Sequence, residues 1–282
     1  MKLTRRGLLG TLAWTAALPL TLPGQVASRV VKYVRFRQGS RIAYGVLEGD
    51  TIRELHGSIF ESPKETGTKH KLSNVKLLYP VEPPKILALA GNYRSHLGEK
   101  KPFANVEVFY KPTTALQNPE DPIVIPPDAS NVHYEGELVL VIGRRARNVS
   151  VAEAREAVFG VTCGNDVSER EWQNGPHKDV QWWRAKGADT FAPLGPCIAT
   201  GLDYGKLLLQ TRLNGKVVQK QSTAELLFDG PTTISFVSKY ITLLPGDLIY
   251  TGTPGTTSKM NPGDVVEVDI EGIGILRNRV TA

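Results

Sequence analysis

The chain has 282 residues, 41% of them hydrophobic and 22% charged, a composition that excludes a disordered chain and suffices for one large folded unit with a smaller one attached. Lys2, Arg5 and Arg6 supply half of the formal charge of +6, and no run of five basic residues or basic-aromatic stripe follows, so nucleic acid is not an expected partner. A mildly cationic pocket for an acidic small molecule suits the balance better.

Taken in chain order, residues 1–27 read as an export signal, with Arg5-Arg6 in a basic start, an apolar run over 8–22 interrupted by Pro19, and a small-residue end at Val26-Ala27. The arginine pair before Gly7-Leu8-Leu9 has the twin-arginine form, which implies export of a folded, periplasmic protein beginning near Ser28. The run is short of the ~20 apolar residues that a spanning helix needs, so no stable membrane insertion is expected after processing.

Three short strands at 30–37, 41–47 and 51–55, separated by glycine-centred turns, predict a small N-terminal β-meander within 28–79. A polar stretch over 61–73 and the proline cluster at 80–84 close it off before a larger unit over 84–282. There the reading gives strands at 85–90, 107–110, 123–125, 135–142, 160–166, 207–213, 247–250 and 265–270. Helices are predicted at 151–158, capped by Ser150, and at 233–243. Strands outnumber helices and do not alternate with them, which points to an α+β, mostly β fold rather than a doubly wound parallel sheet.

The strongest chemical signal is Glu135-Gly136-Glu137 running into the apolar stretch Leu138 to Ile142. Residues two apart on a strand share a face, so two carboxylates stand together at the mouth of a buried run and require a cation, a shared proton or open water. The strand ending at Asp166 offers a third carboxylate, and an all-oxygen set of this kind suits Mg²⁺, with Mn²⁺ or Ca²⁺ as alternatives. His133 shares the glutamate face and is either a ligand or a group beyond the ligands. Cys163 and Cys197 lack metal-ligand spacing and are either buried thiols or, in an oxidising compartment, a disulfide.

Five motifs in order carry a resemblance to the fumarylacetoacetate hydrolase family. They are Gly91-Asn92-Tyr93-Arg94-Ser95-His96-Leu97-Gly98-Glu99, Tyr110-Lys111-Pro112-Thr113-Thr114, Glu135-Gly136-Glu137-Leu138, Asn165-Asp166-Val167-Ser168-Glu169-Arg170, and the segment from Gly246 to Pro254. The resemblance implies a β-roll catalytic unit, a homodimer, and Glu135, Glu137 and Asp166 as metal ligands. It assigns His96 and Glu99 as a base dyad on a short lid, where a helical turn would let Glu99 orient His96. By the same resemblance Lys186 contacts substrate oxygens, while Arg170, Gln173 and Thr253 face the substrate. Trp172, Trp182 and Trp183 either wall the pocket or anchor a core or interface, and Lys111 and Pro112 shape the turn below the metal.

The function that follows is cleavage of a carbon-carbon bond in an acylpyruvate or fumarylacetoacetate-like β-diketo acid, with His96 activating water. Decarboxylation or keto-enol isomerisation of 2-oxo diacids is the alternative on the same site, and a non-catalytic oxo-acid binder is the third reading. The pair of His96 and Glu99 favours hydrolysis, since isomerisation needs no activated water.

Overall fold

The computed structural model describes residues 29–282, and the export reading of residues 1–27 lies outside them. Two sheets carry the fold. The longer has ten strands in its main row: Lys64–Lys71, Thr51–His56, Arg41–Glu48, Val31–Gln38, Ala192–Thr200, Val158–Asn165, Gly136–Ile142, Leu248–Tyr250, Ile86–Leu89 and Val108–Lys111. The N-terminal meander therefore continues the sheet of the larger unit, because Val31, Lys32 and Tyr33 pair with Thr200, Ala199 and Ile198. A second sheet runs Lys216–Ser222, Leu208–Leu213, Val265–Ile270, Gly274–Thr281 and Ile123–Val124.

The apolar run from Leu138 to Ile142, within the strand Gly136–Ile142, reflects burial on both faces. Leu138, Leu140 and Ile142 join Leu209, Val268 and Leu276 in a core between the two sheets. Val139 and Val141 point the other way, onto Ile86, Ile198, Leu248 and Tyr250. Truncating a side chain such as Leu140 to alanine in so enclosed a layer costs about 2–5 kcal/mol.

Several elements depart from the sequence reading. The helix expected over 151–158 stops at Arg155, because Val158 already pairs with Ile142. Its start holds: Ser150 and Glu153 form a reciprocal capping box. The helix expected over 233–243 is Gly230–Ser238, capped by Asp229 with Pro231 in its first turn, and Leu243 bridges to Ala146 instead. The polar stretch read as a connection contains the edge strand Lys64–Lys71. Ala192–Thr200, central to the long sheet, escaped notice because Pro193, Gly195 and Pro196 argue against a strand; a register irregularity opposite 161–163 accommodates them.

Candidate active site

Strand register assembles the acidic cluster. Gly136 lies opposite Asn165 in an antiparallel pair, so the residues just beyond, Glu135 and Asp166, face each other at the sheet's end. The Asp166 amide donates to the Glu135 carbonyl at 2.8 Å, and the Glu135 amide donates to Asn165 Oδ1 at 2.9 Å. The regular strand begins at Gly136, one residue later than expected. Oxygens of Glu135, Glu137 and Asp166 lie within 4.8 Å of one another, all buried. Gly136 is required on the reverse face, since a Cβ there would stand 2.0 Å from Thr211 Oγ1.

Cations neutralise two of the three carboxylates. Lys186 Nζ donates to Glu135 Oε2 and Asp166 Oδ2, each at 2.6 Å. Lys111 Nζ donates to Asp166 Oδ1 at 2.5 Å, and Arg170 Nη2 donates to Glu135 Oε1 at 2.5 Å. Burial alone would raise the Glu135 carboxyl, but Lys186, Arg170 and His96 outweigh it and hold it below the ordinary range. Lys186, which burial would push down, is instead raised by Asp166 and Glu135. For Lys111 burial wins over the attraction of Asp166, and its ammonium is held below its usual range.

Glu137 lacks such a cationic hydrogen bond. Its Oε2 accepts the Gly252 amide at 2.7 Å, while its Oε1 is buried without a hydrogen-bond partner among the described residues. Burial, then the charges of Asp166 and Glu135, push its carboxyl well above the usual range. An orphaned carboxylate oxygen in an all-oxygen trio is the environment that a hard divalent cation completes, so the residues present fit such an ion. Glu135, Glu137 and Asp166 would hold it.

The other expected residues divide. His96, Lys186, Arg170, Gln173 and Thr253 line one pocket of about 200 Å³ with Glu135. His96 Nδ1 lies 2.7 Å from the Gly255 carbonyl, which can only accept, so Nδ1 donates there and Nε2 is the nitrogen left toward the pocket. Nε2 stands 3.8 Å from Glu135 Oε1. Glu99 is not brought to it: the helix Arg94–Leu97 ends at Gly98 with φ of 59°, and Glu99 lies exposed on the following turn, outside the pocket lining. Arg170 also donates to Gln173 Oε1 and Thr257 Oγ1, while the Thr253 hydroxyl donates to the Gly136 carbonyl.

His133 stands outside the carboxylate trio. Its ring nitrogens contact Thr257 Oγ1 and Asn131 Oδ1, each at 2.9 Å, and burial followed by repulsion from Arg170 pulls its pKa down to about 4. The tryptophans separate: Trp182 lines the pocket edge-on to Phe109, Trp172 lies under the Arg184 guanidinium, and Trp183 is exposed. Cys163 and Cys197 are buried free thiols, not a disulfide. Sequence reasoning missed Lys111 as a partner of Asp166, and it missed Gln219, whose amide accepts from the Gly136 N–H and donates to Thr253 Oγ1. The signal for Lys111 was its place in the Tyr110-Lys111-Pro112-Thr113-Thr114 motif, where it was read as shaping the turn below the metal and not as a partner of Asp166.

This carboxylate trio, buried at the end of a mixed β-roll beside His96, Lys111 and Lys186, defines an acidic enzyme site whose chemistry fits a divalent cation. Residues 85–281 match the family model described as fumarylacetoacetate (FAA) hydrolase C-terminal, and residues 31–80 match that described as Rv2993c-like, N-terminal. The chain belongs to the fumarylacetoacetate hydrolase family, whose members depend on a divalent metal. It is 41% identical to Protein Rv2993c of Mycobacterium tuberculosis across 85% of this chain and 94% of that one. A crystal structure described as 5-carboxymethyl-2-hydroxymuconate delta-isomerase from Mycobacterium smegmatis superposes with a TM-score of 0.83 at 41% identity, covering 89% of this chain and 99% of the other. The bovine mitochondrial oxaloacetate tautomerase FAHD2A is 37% identical across 74% of this chain and 70% of its own.

Proposed function

We propose that the chain is a Mg²⁺-dependent tautomerase or isomerase of enolisable 2-oxo acids, acting as a homodimer. The observation that carries this reading is the oriented imidazole of His96, whose Nδ1 is held by the Gly255 carbonyl and whose Nε2 stands 3.8 Å from Glu135 Oε1, without Glu99 behind it. A proton shift needs one base that takes a proton from the carbon beside the carbonyl and returns it elsewhere. Glu135, Glu137 and Asp166 would hold a divalent cation, which when bound would supply Lewis-acid polarisation of the 2-oxo group.

The chain's own residues do the remainder. Lys186, buried against Glu135 and Asp166, places an ammonium where negative charge develops on the substrate oxygen. Arg170 and Gln173 offer the substrate carboxylate donors at the pocket wall. Leu97, Phe103, Phe109 and Trp182 supply apolar lining to the same pocket and limit water. His96 Nε2 removes the α-proton, the electron pair moves to the carbonyl oxygen, and the proton is redelivered to that oxygen or to a conjugated carbon.

Hydrolysis of an acylpyruvate is the second reading, favoured by the presence in the sequence of Glu99 three residues beyond His96. The sequence placed hydrolysis first because it paired these residues; the open turn at Gly98 withdraws that support. Turnover of oxaloacetate and acetylpyruvate by the purified protein, with Mg²⁺ and with chelator, separates the readings. Metal-dependent equilibration of enol and keto oxaloacetate, with no loss of total 2-oxo acid and about 10²–10⁴-fold slower in His96→Ala, is expected. Release of pyruvate and acetate from acetylpyruvate would install the hydrolase reading instead, and carbon dioxide from oxaloacetate a decarboxylase. Saturable binding without turnover would install the binding-protein reading.

A further inference from the structure

The peptide between Thr251 and Gly252 is gripped at both ends. Its N–H donates to Glu137 Oε2 at 2.7 Å, and its C=O accepts from Asn92 Nδ2 at 2.8 Å. In a trans peptide these groups point in opposite directions, so fixing the carbonyl fixes where the amide points. Asn92 is itself immobilised. It is 1% exposed, its Nδ2 also donates to the Phe228 carbonyl at 3.0 Å, and its Oδ1 accepts the Phe228 amide at 2.8 Å. Two carbonyls against the amide nitrogen and one N–H against the oxygen leave a single orientation of the side chain. Gly252 permits the approach: its φ is +98°, and a Cβ there would stand 2.8 Å from Asn92 Cβ.

We infer that Asn92 is a positioning residue for the cation site, acting through the Gly252 amide to aim Glu137. This rests on the proposed binding of a divalent cation by Glu135, Glu137 and Asp166. Of these ligands Glu137 is the one without a cationic hydrogen bond, so the Gly252 amide is the contact that orients it. Freeing that amide releases the carboxylate to rotate, and supporting partners of metal ligands typically govern affinity by about 10–100-fold.

The test is Mn²⁺ binding by calorimetry to the full chain, at a temperature well below each variant's melting point. Asn92→Asp keeps an acceptor for the Phe228 amide but sets a carboxylate oxygen against the Thr251 carbonyl. Added negative charge by itself favours cation binding, whereas loss of the peptide grip weakens it, so the sign discriminates. A Kd raised by about tenfold or more is expected. If Asn92→Asp does not fold, Gly252→Ala displaces the same peptide from its other side and carries the same expectation. Unchanged or tighter Mn²⁺ binding in a folded variant overturns the role of Asn92 alone. Absence of Mn²⁺ binding in the unsubstituted protein overturns the cation reading, and this inference with it.

Discussion

Glu137 is where burial and function conflict. Without a cation the folded chain encloses a carboxylate whose pKa is raised from 4.5 by burial and by Asp166 and Glu135. A group with a raised folded pKa contributes its full stability below the unfolded value, and that contribution drains away as pH rises through the folded value. Metal-free protein is therefore expected to lose stability as pH climbs above the ordinary carboxylate range. Glu137→Gln should flatten that decline and stabilise the metal-free protein at neutral pH by about 1–3 kcal/mol, while abolishing Mn²⁺ binding. Melting curves across pH with chelator present read both; a steeper decline in the variant would contradict the account. The trio was legible in the sequence because period-two spacing and a strand-end aspartate are local signals. The expected pairing of His96 with Glu99 rested on helical spacing, which Gly98, with φ of 59°, interrupts. Lys111 and Gln219 meet their partners 55 and 83 positions away, distances at which no local pattern operates.

At the scale of elements, glycines set how closely the carboxylate strands pack. A Cβ on Gly164 would stand 2.4 Å from Tyr250 Cε1 and 2.5 Å from Val139 Cγ2, both inside the core. Gly164→Ala should therefore cost about 1–3 kcal/mol through overpacking, measured by denaturant unfolding. Loss of Mn²⁺ affinity is expected alongside, since Gly164 pairs with Glu137 and any spreading of the strands moves the ligand. Strands with alternating or continuous apolar runs were readable. Ala192–Thr200 was not, since its prolines obey a rule about ladder hydrogen bonds that a local irregularity suspends. Lys64–Lys71 was hidden for another reason: nearly all of it is exposed, so no apolar periodicity exists to be read.

At the scale of the molecule, the proline cluster at 80–84 reads as a boundary, yet the long sheet runs across it. Val34, Phe36 and Ile52 share one buried cluster with Leu138, Leu140 and Cys163. Heat or denaturant should then unfold residues 29–282 in one transition, with tryptophan fluorescence and far-ultraviolet dichroism coincident. A separate early transition, assigned by hydrogen exchange to residues 31–71, would show the meander to be independent. Composition and strand count revealed the mostly β class, but the shared sheet depends on pairing between Val31 and Thr200, which is invisible to any window of sequence.

The register that sets Gly136 opposite Asn165 has one more consequence. The three carboxylates are addressed by ladder position, not by their count along the chain, so the intervening segment that includes Val151–Arg155 is a detour whose length is immaterial to the site. A lineage can lengthen or shorten that detour without disturbing the chemistry, whereas a single residue gained within Gly136–Ile142 would turn Glu135 and Glu137 to the opposite side of the sheet.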